Sequence, residues 1–511
     1  MKKFLVNVDT NDYGIGLFLN RVYKEKLAQG ETITEADLYP FIDQYCGFGI
    51  TDLLVCINCQ YSIGESNVFT DGFTKYERTE ELGKPVDYKE WFDGLYHVYK
   101  DFGLDPLAVW FKRSRDLGFF TWMSVRMNDC HHPEREVSYM RTDFIYDAIK
   151  NGMTIGEKYD YFKNCLDFSY EKVRETTLNY LDEQLGRYDV DGIEFDFMRE
   201  ILCFNLEKTE NPHLIMNDFL RKARAIVKKY EEKYGHKIKV AIRLGRDITE
   251  NKAFGFDVKT YEKEKLADAV VVSPRWQSND SDMPIKAWKS TLKDTEIYAA
   301  VDTLSCANDP RCASTPEVIR GFVNRYLSDG ADGMYYFNYY THPFTRIPGE
   351  EVRNLLCHEV FNTCKDLKTV QKLSRRYLVT FQDTCPEGYT PYQPLPVKLD
   401  GKTKTLNLNL GSLKGTKSVS LFVGLKGLKP EGVKIKANGK EIKGLVRKDP
   451  KPSNLWYVPE KMNFTCNCGY VPDGSLTYIC HLPLNKKGAY NLEFSGETGE
   501  VTYLEFYTEK N

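Results

Sequence analysis

Short apolar runs alternate with amphipathic helical segments eight times over roughly the first 350 residues. The runs typical of strands are residues 4–9, 52–58, 119–126, 193–197, 237–243, 268–273, 297–301 and 333–337. Strand–helix alternation implies a parallel sheet, and eight such units imply a closed (β/α)8 barrel. An open doubly wound sheet is the alternative, but the chain lacks the GxGxxG and GxxxxGK[ST] turns that would support it. We therefore predict a TIM barrel.

The pattern changes after about residue 370. Residues 386–396 contain four prolines and read as turns. Short strands then recur between Gly, Asn and Lys residues, and Asn438-Gly439 is a two-residue hairpin signal. We predict a barrel over residues 1–370, a linker or first strand of the next module over 371–396, and an all-β sandwich module over 397–511.

The overall charge and hydropathy exclude several partners. The net charge of −3 predicts neither nucleic-acid nor anionic-membrane binding. No apolar run approaches the roughly 18 residues that a membrane span requires. The chain begins with Met1-Lys2-Lys3 but turns polar at Asn7 and Asp9, too early for a signal peptide. We expect a cytoplasmic protein, or a secreted or periplasmic one from which a signal peptide has been removed. The sequence does not indicate an oligomeric state.

Cysteine and histidine usage predicts no metal and no other cofactor. The 14 cysteines lie mostly inside apolar runs, which is typical of buried free thiols. The segment Cys56-Ile57-Asn58-Cys59 is formally CxxC but falls within a strand-like run and lacks a second pair. The eight histidines form no HxH or HExxH pattern.

The fourth predicted strand alternates apolar and acidic residues, as Ile193-Glu194-Phe195-Asp196-Phe197. Successive strand residues point to opposite faces, so Glu194 and Asp196 share one face. Two carboxylates on one face of a buried strand are costly unless that face opens into a polar site. The alternative is a surface strand of an antiparallel sheet, with its acids in water.

Other polar residues also follow the predicted strands, at the end where barrel active sites lie. Carboxylates in these positions are Asp9, Asp129, Glu194, Asp196, Asp247, Glu250 and Asp302. Arg126, Arg243 and Arg275 suit either of two tasks: holding a carboxylate ionised or binding an acidic sugar. Residues suited to sugar hydroxyls or to a pyranose face are Asn128, His131, Asn338, Trp276, Tyr339 and Tyr340.

The segment Tyr188 to Arg199, with Leu166 to Arg174 before it, resembles the fourth-strand region of barrel glycoside hydrolases. It is most similar to the family-10-like glycosyl hydrolases, in which a helix opening leads to YxVDGIxFDxxR. The run from Asp191 to Asp196 is also similar to the chitinase-type DGxDxDxE signature. Met198 stands where that signature needs its acidic Glu, which argues against chitinase chemistry. The resemblance implies a barrel hydrolase, often with an appended β module, and marks Asp196 as a catalytic carboxylate.

We therefore predict a glycoside hydrolase that acts on an oligosaccharide or glycan, as in polysaccharide degradation, through two carboxylates at the barrel mouth. Asp196 is the first catalytic candidate, Glu194 lies deeper and tunes it, and Asp302 is its partner. Glu250 is the second choice of partner. Predicted substrate-binding residues are Asp9, Arg126, Asn128, Asp129, His131, Arg199, Arg243, Arg275, Trp276, Asn338 and Tyr339.

Two other classes of protein stay open at this stage. One is a barrel that binds carbohydrate but has lost catalysis, an interpretation that the Met198 departure favours. The other is a barrel hydrolase that uses a metal held by Asp9, His131 and His132.

Overall fold

The structure is a computed structural model that describes residues 2–275, 278–303, 314–341, 350–382, 384–449 and 474–510, the side chains of 12, 13, 160 and 350–356 excepted. Eight parallel strands close into a barrel: β1 (Lys3–Val8), β2 (Asp52–Cys56), β3 (Phe120–Arg126), β4 (Gly192–Asp196), β5 (Lys239–Leu244), β6 (Ala269–Val272), β7 (Glu296–Asp302) and β8 (Gly333–Phe337). Closure comes from β8 pairing with β1, with Gly333 opposite Lys3. The predicted TIM barrel is confirmed, and each predicted strand lies within two residues of the observed one.

Helices connect the strands and cover the outside of the barrel. Those of seven or more residues are Asn20–Gln29, Lys89–Lys100, Pro106–Asp116, Asp143–Lys150, Glu171–Arg187, Pro212–Tyr234, Ile248–Phe254, Ile285–Thr291, Pro316–Ser328 and Glu350–Thr363. Shorter helical elements are Glu35–Leu38, Pro40–Asp43, Gly72–Glu77, Val258–Lys263 and Leu367–Val370, with 3-10 turns at Glu157–Phe162 and Pro430–Gly432 and a π-helical stretch at Asn11–Leu19.

Local chemistry sets where these helices start and stop. The helix Pro106–Asp116 begins where the Asp105 side chain accepts hydrogen bonds from two backbone N–H groups and proline takes the first helical position. Residues 35–43 form two four-residue helices rather than one, because Pro40 has no N–H to donate.

The barrel interior is apolar in its lower half and polar toward the carboxyl ends of the strands. Apolar side chains that fill the lower half include Leu5, Leu54, Trp122, Ala241, Val271 and Tyr298. A Cβ atom on Gly192 would lie 2.2 Å from the Trp122 ring, so the glycine that opens β4 makes room for that indole. The polar residues therefore lie above this layer of apolar side chains, at the barrel mouth.

Beyond residue 374, the described segments form two antiparallel sheets. The strands are β9 (Arg375–Leu378), β10 (Val397–Leu399), β11 (Lys404–Asn409), β12 (Thr416–Lys426), β13 (Val433–Ala437), β14 (Lys440–Ile442), β15 (Val446–Arg447), β16 (Leu476–Leu482), β17 (Ala489–Gly496) and β18 (Gly499–Lys510). One sheet has the order β9-β18-β12-β16-β15 with β10 beside β18, and the other has the order β11-β17-β13-β14. The predicted C-terminal all-β module is confirmed. A two-residue ladder, Glu80–Glu81 with Lys84–Pro85, lies outside these sheets.

The hairpin between β13 and β14 turns at Asn438-Gly439, as expected. Both residues have positive φ, 51° and 77°, which a type I′ turn requires. Asn and Gly tolerate this conformation, so two residues suffice to join the strands.

The module packs on the barrel through β9, which lies within the segment 371–396. The helix Pro316–Ser328 approaches β9 so closely that a Cβ atom on Gly321 would lie 2.0 Å from the Arg376 carbonyl oxygen. Asn324 donates its side-chain N–H to the Leu410 carbonyl at 2.8 Å. None of the helices in the described segments is long and apolar enough to cross a membrane.

Candidate active site

Asp196 ends β4 and is fully buried at the carboxyl end of the barrel, where its two carboxylate oxygens have different partners. Oδ2 lies 2.9 Å from Nη1 of Arg243 on β5, and Oδ1 accepts a hydrogen bond of 2.8 Å from the Met198 backbone N–H. The pairing of neighbouring strands sets Asp196 beside Arg243 in register. Burial alone would lower the pKa of Arg243, but the negative groups around it, Asp196 first among them, together raise that pKa above its ordinary value. The two residues therefore form a buried ion pair.

The Arg243 guanidinium is held from two further sides. Its Nε donates to the Ser273 hydroxyl at 3.0 Å, and its plane lies 4.1 Å from the centre of the Phe337 ring. The Arg243 side chain is therefore held in a single orientation toward Asp196.

Glu194 lies one layer below Asp196 on the same face of β4 and is completely buried. Its Oε2 accepts hydrogen bonds from Ser124 at 2.6 Å, Asn7 at 3.0 Å and Tyr335 at 3.1 Å. Its Oε1 has no hydrogen-bond partner within the part of the chain that the structure describes. Burial first, and the charge of Asp196 second, raise the pKa of Glu194 to about 7.

A second charged cluster lies beside the pair and is built around Arg126, the last residue of β3. Its guanidinium contacts Asp9 at 2.6 Å and Asp129 at 3.1 Å. Asp129 also contacts His131, whose Nδ1 lies 2.6 Å from the carboxylate. The other ring nitrogen of His131, Nε2, lies 3.0 Å from Nη2 of Arg199. Burial alone would raise the pKa values of Asp9 and Asp129. Their cationic neighbours outweigh it, so both pKa values lie below their ordinary range.

Arg275, which follows β6, pairs with Glu200, which the sequence analysis did not single out. The contact is bidentate, at 3.0 and 3.1 Å, and Glu200 is fully buried. Tyr161 and Phe162 lie against the Arg275 guanidinium, with ring centres 5.2 and 5.1 Å away. Burial raises the pKa of Glu200. Its position four residues after Asp196 in the same acidic stretch was the available signal.

The two candidate partners of Asp196 occupy different places. Asp302 ends β7, is buried, and accepts a hydrogen bond of 3.1 Å from the Thr303 hydroxyl. Its charge contributes to the raised pKa of Arg243, after the larger contributions of Asp196 and Glu194. Asp302 thus lies in the electrostatic neighbourhood of the pair.

Glu250 lies on the helix after β5, where Gln382 donates to its Oε2 at 2.5 Å. This carboxylate lines a neighbouring cavity of about 20 Å³. Burial raises the pKa of Glu250. No contact in the described residues joins Glu250 to Glu194 or Asp196.

Several predicted sugar-binding residues have other contacts in the structure. The Asn128 amide bonds to the Leu166 backbone at 2.8 and 3.0 Å and to the Leu202 carbonyl at 2.9 Å, so it ties together two loops. Tyr339 is buried, and its hydroxyl donates to the Asp302 carbonyl at 2.9 Å. Asn338 follows β8 with a positive φ of 59°. Trp276 lies outside the described residues.

The sequence analysis also missed two of the three residues that hold Glu194, namely Asn7 and Ser124. A signal was present, because each is a polar residue inside an otherwise apolar predicted strand. The third, Tyr335, alternates faces with Tyr336 along β8, so only one of the two side chains lines the interior. The structure selects Tyr335, while the Tyr336 hydroxyl bonds outside the barrel to the Cys364 carbonyl.

The residues of the metal hypothesis have separate protein partners. Asp9 pairs with Arg126, His131 with Asp129, and His132 Nδ1 lies 2.9 Å from the Ser138 hydroxyl. Burial and nearby cations lower the pKa of His132 to about 4. No group of three or more His, Cys, Asp or Glu side chains in the described segments is placed to hold a metal ion.

No family model and no curated protein matches the chain. Solved structures similar to it include α-L-fucosidase isoenzyme 2 from Paenibacillus thiaminolyticus, at 9% identity over 71% of this chain, with a TM-score of 0.42. The chain spans 49% of the length of that fucosidase. A GH29 α-L-fucosidase from Bacteroides thetaiotaomicron matches at 13% identity over 97% of this chain and 93% of its own, with a TM-score of 0.37. An α-amylase from Geobacillus thermoleovorans matches at 12% identity over 97% of this chain and 99% of its own, with a TM-score of 0.36.

Proposed function

We propose that the chain is a glycoside hydrolase that cleaves O-glycosyl bonds in an oligosaccharide or glycan, with Asp196 and Asp302 as its two carboxylates. The observation that carries this proposal is the acid pair on β4. Asp196 is paired with Arg243, while Glu194 beneath it has a pKa of about 7. Neighbouring acids whose environments separate their protonation are typical of catalytic sites. The position at the carboxyl end of a barrel strand supports the same assignment.

In this mechanism Asp196 attacks the anomeric carbon, because Arg243 compensates its charge and leaves a carboxylate nucleophile. Asp302 protonates the leaving oxygen and then takes a proton from the water that hydrolyses the glycosyl ester. Glu194 lies below both and does not touch substrate. The stereochemical outcome is retention, which a proton NMR spectrum of the first-formed product anomer tests.

A second candidate function is a barrel that binds carbohydrate without cleaving it. The observation in its favour is that both Asp196 oxygens already have protein partners, Arg243 and the Met198 N–H. An acid held in this way also fits a purely structural ion pair. Only turnover separates the two functions.

The experiment is a panel of aryl glycosides and polysaccharides, assayed with the natural chain, with Asp196→Asn and with Asp189→Asn. Asp189 precedes the same strand at the opposite end of the barrel, where it pairs with Arg115 at 3.0 Å. We expect turnover of at least one substrate, loss of about 10³-fold or more in Asp196→Asn, and near-natural turnover in Asp189→Asn. Sugar binding without turnover of any panel member would establish the second candidate instead.

A further inference from the structure

Four arginines at the described barrel mouth are each already paired with a protein acid. Arg243 contacts Asp196 at 2.9 Å, and Arg275 holds Glu200 with both arms of its guanidinium. Arg126 is shared between two aspartates, and Arg199 lies 3.5 Å from one of them, Asp129. The pairing is thus common to all four cations rather than a feature of one.

This pairing determines what the arginines can do for a ligand. Recognition of a carboxylate or sulfate by arginine uses two parallel N–H donors, aimed at two oxygens of the anion. In Arg275 that pair of donors is occupied by Glu200. An acidic sugar would have to displace Glu200, and displacement would leave a buried acid without its cation.

The net charge of the barrel mouth also argues against binding of an anionic sugar. Within the described residues, the four arginines are matched by five buried acids: Asp9, Asp129, Asp196, Glu200 and Asp302. These acids outnumber the four arginines by one, and Glu194 adds negative charge whenever it ionises. Arg311 and Arg346 lie outside the described residues and are not counted. The described mouth therefore offers no excess positive charge to an anion.

We infer that the sugar bound at this barrel mouth is uncharged, and that the site rejects sugars bearing a carboxylate or sulfate. The inference rests on the proposed function, since it names the class of sugar that this hydrolase takes. It also decides between the two tasks that the sequence left open for Arg126, Arg243 and Arg275. All three hold protein carboxylates.

The test uses three aryl glycosides that differ only at C6: the neutral hexoside, the uronide with a carboxylate there, and the methyl ester of that uronide. The methyl ester matches the uronide in shape while removing its charge. We expect the hexoside and the ester to be cleaved, with kcat/KM for the uronide lower than for the ester by about a hundredfold or more. A uronide cleaved as well as its ester, or cleaved alone, would overturn the inference and leave the proposed function standing.

Equilibrium binding of the three corresponding methyl glycosides, measured by calorimetry, covers the case in which no aryl glycoside is cleaved. Binding of the neutral sugar and the ester without the uronate would support the inference although the hydrolase proposal had failed. Binding of the uronate as tightly as the ester, or of none of the three, would overturn it.

A variant tests the arginine pairing directly. Glu200→Gln keeps the shape of the partner but leaves Arg275 with uncompensated charge, so we expect the uronide-to-ester ratio of kcat/KM to rise about tenfold or more. The control is Asp43→Asn, which frees Arg113 from an equally bidentate contact of 2.7 and 2.8 Å on the outside of the barrel. It should leave the ratio unchanged. An unchanged ratio in a folded Glu200→Gln protein would contradict the inference, and if that variant does not fold, the natural chain's C6 series decides alone.

Discussion

Glu194 and Asp196 point to the same side of β4, yet only Asp196 is paired with an arginine. Arg243 Nη1 lies 2.9 Å from Asp196 Oδ2, whereas the three donors to Glu194 are all uncharged side chains. Uncharged donors serve the carbonyl oxygen of a protonated acid as well as they serve a carboxylate. Burial and the charge of Asp196 then decide the outcome, and the pKa of Glu194 rises to about 7.

This raised pKa predicts how Glu194→Gln changes the pH dependence of stability. Since the folded pKa exceeds the ordinary value of 4.5, Glu194 contributes stability that is fully present below pH 4.5 and lost as pH rises through 7. The amide does not titrate, so the variant should gain stability relative to the natural chain across that window, by about 3 kcal/mol. The measurement is the free energy of urea unfolding between pH 4 and 8.

The control for this window is Glu262→Gln. Backbone N–H groups lower the pKa of Glu262 despite its partial burial, so its contribution is present above pH 4.5 and lost as pH falls. Glu262→Gln should therefore alter stability without changing its slope between pH 5 and 7. If the unfolding free energy of Glu194→Gln and that of the natural chain change equally with pH in that range, the pKa of Glu194 is not raised by folding.

The ion pair itself predicts a double-mutant cycle. Arg243→Met leaves Asp196 buried without its cation, and we expect the unfolding free energy to fall by about 3–5 kcal/mol. Adding Asp196→Asn removes the uncompensated charge, so the double variant should be more stable than Arg243→Met alone. Denaturant unfolding of the natural chain, the two single variants and the double variant gives the coupling energy between Asp196 and Arg243. A double variant less stable than Arg243→Met would contradict a pairing role for Arg243.

The sequence was sufficient for the barrel because strand–helix alternation is a local pattern and eight repeats leave few topologies. It also placed Glu194 and Asp196 on one face, since side-chain direction along a strand has a period of two. It could not show that Arg275 pairs with Glu200 or that Asn128 bonds to loop backbone. Those contacts join residues 75 and 38 positions apart in the chain, beyond the reach of any local sequence pattern.

The barrel–module contact predicts an effect of Gly321→Ala. Alanine favours a helix over glycine by about 1 kcal/mol, but its Cβ would lie 2.0 Å from the backbone oxygen of Arg376 on β9. Backbone cannot move aside as a side chain can, so we expect a net destabilisation of about 1–3 kcal/mol, measured by thermal unfolding. Gly186→Ala is the control, since its Cβ would meet only the Tyr230 hydroxyl, at 2.9 Å. Equal effects of the two substitutions would contradict this contact.

The proposed role of Asp302 as proton donor predicts a dependence on the leaving group. Asp302→Asn removes the acid, so kcat/KM for a substrate with a poor leaving group such as methoxide or a sugar should fall by about 10²–10⁴-fold. A 2,4-dinitrophenyl glycoside needs no protonation to depart, and its kcat/KM should fall less than about tenfold. Asp294→Asn, at the exposed opposite end of β7, is the control and should change neither value. Equal losses on both substrates would exclude Asp302 as the acid and leave the proton donor to be sought among the other carboxylates of the mouth.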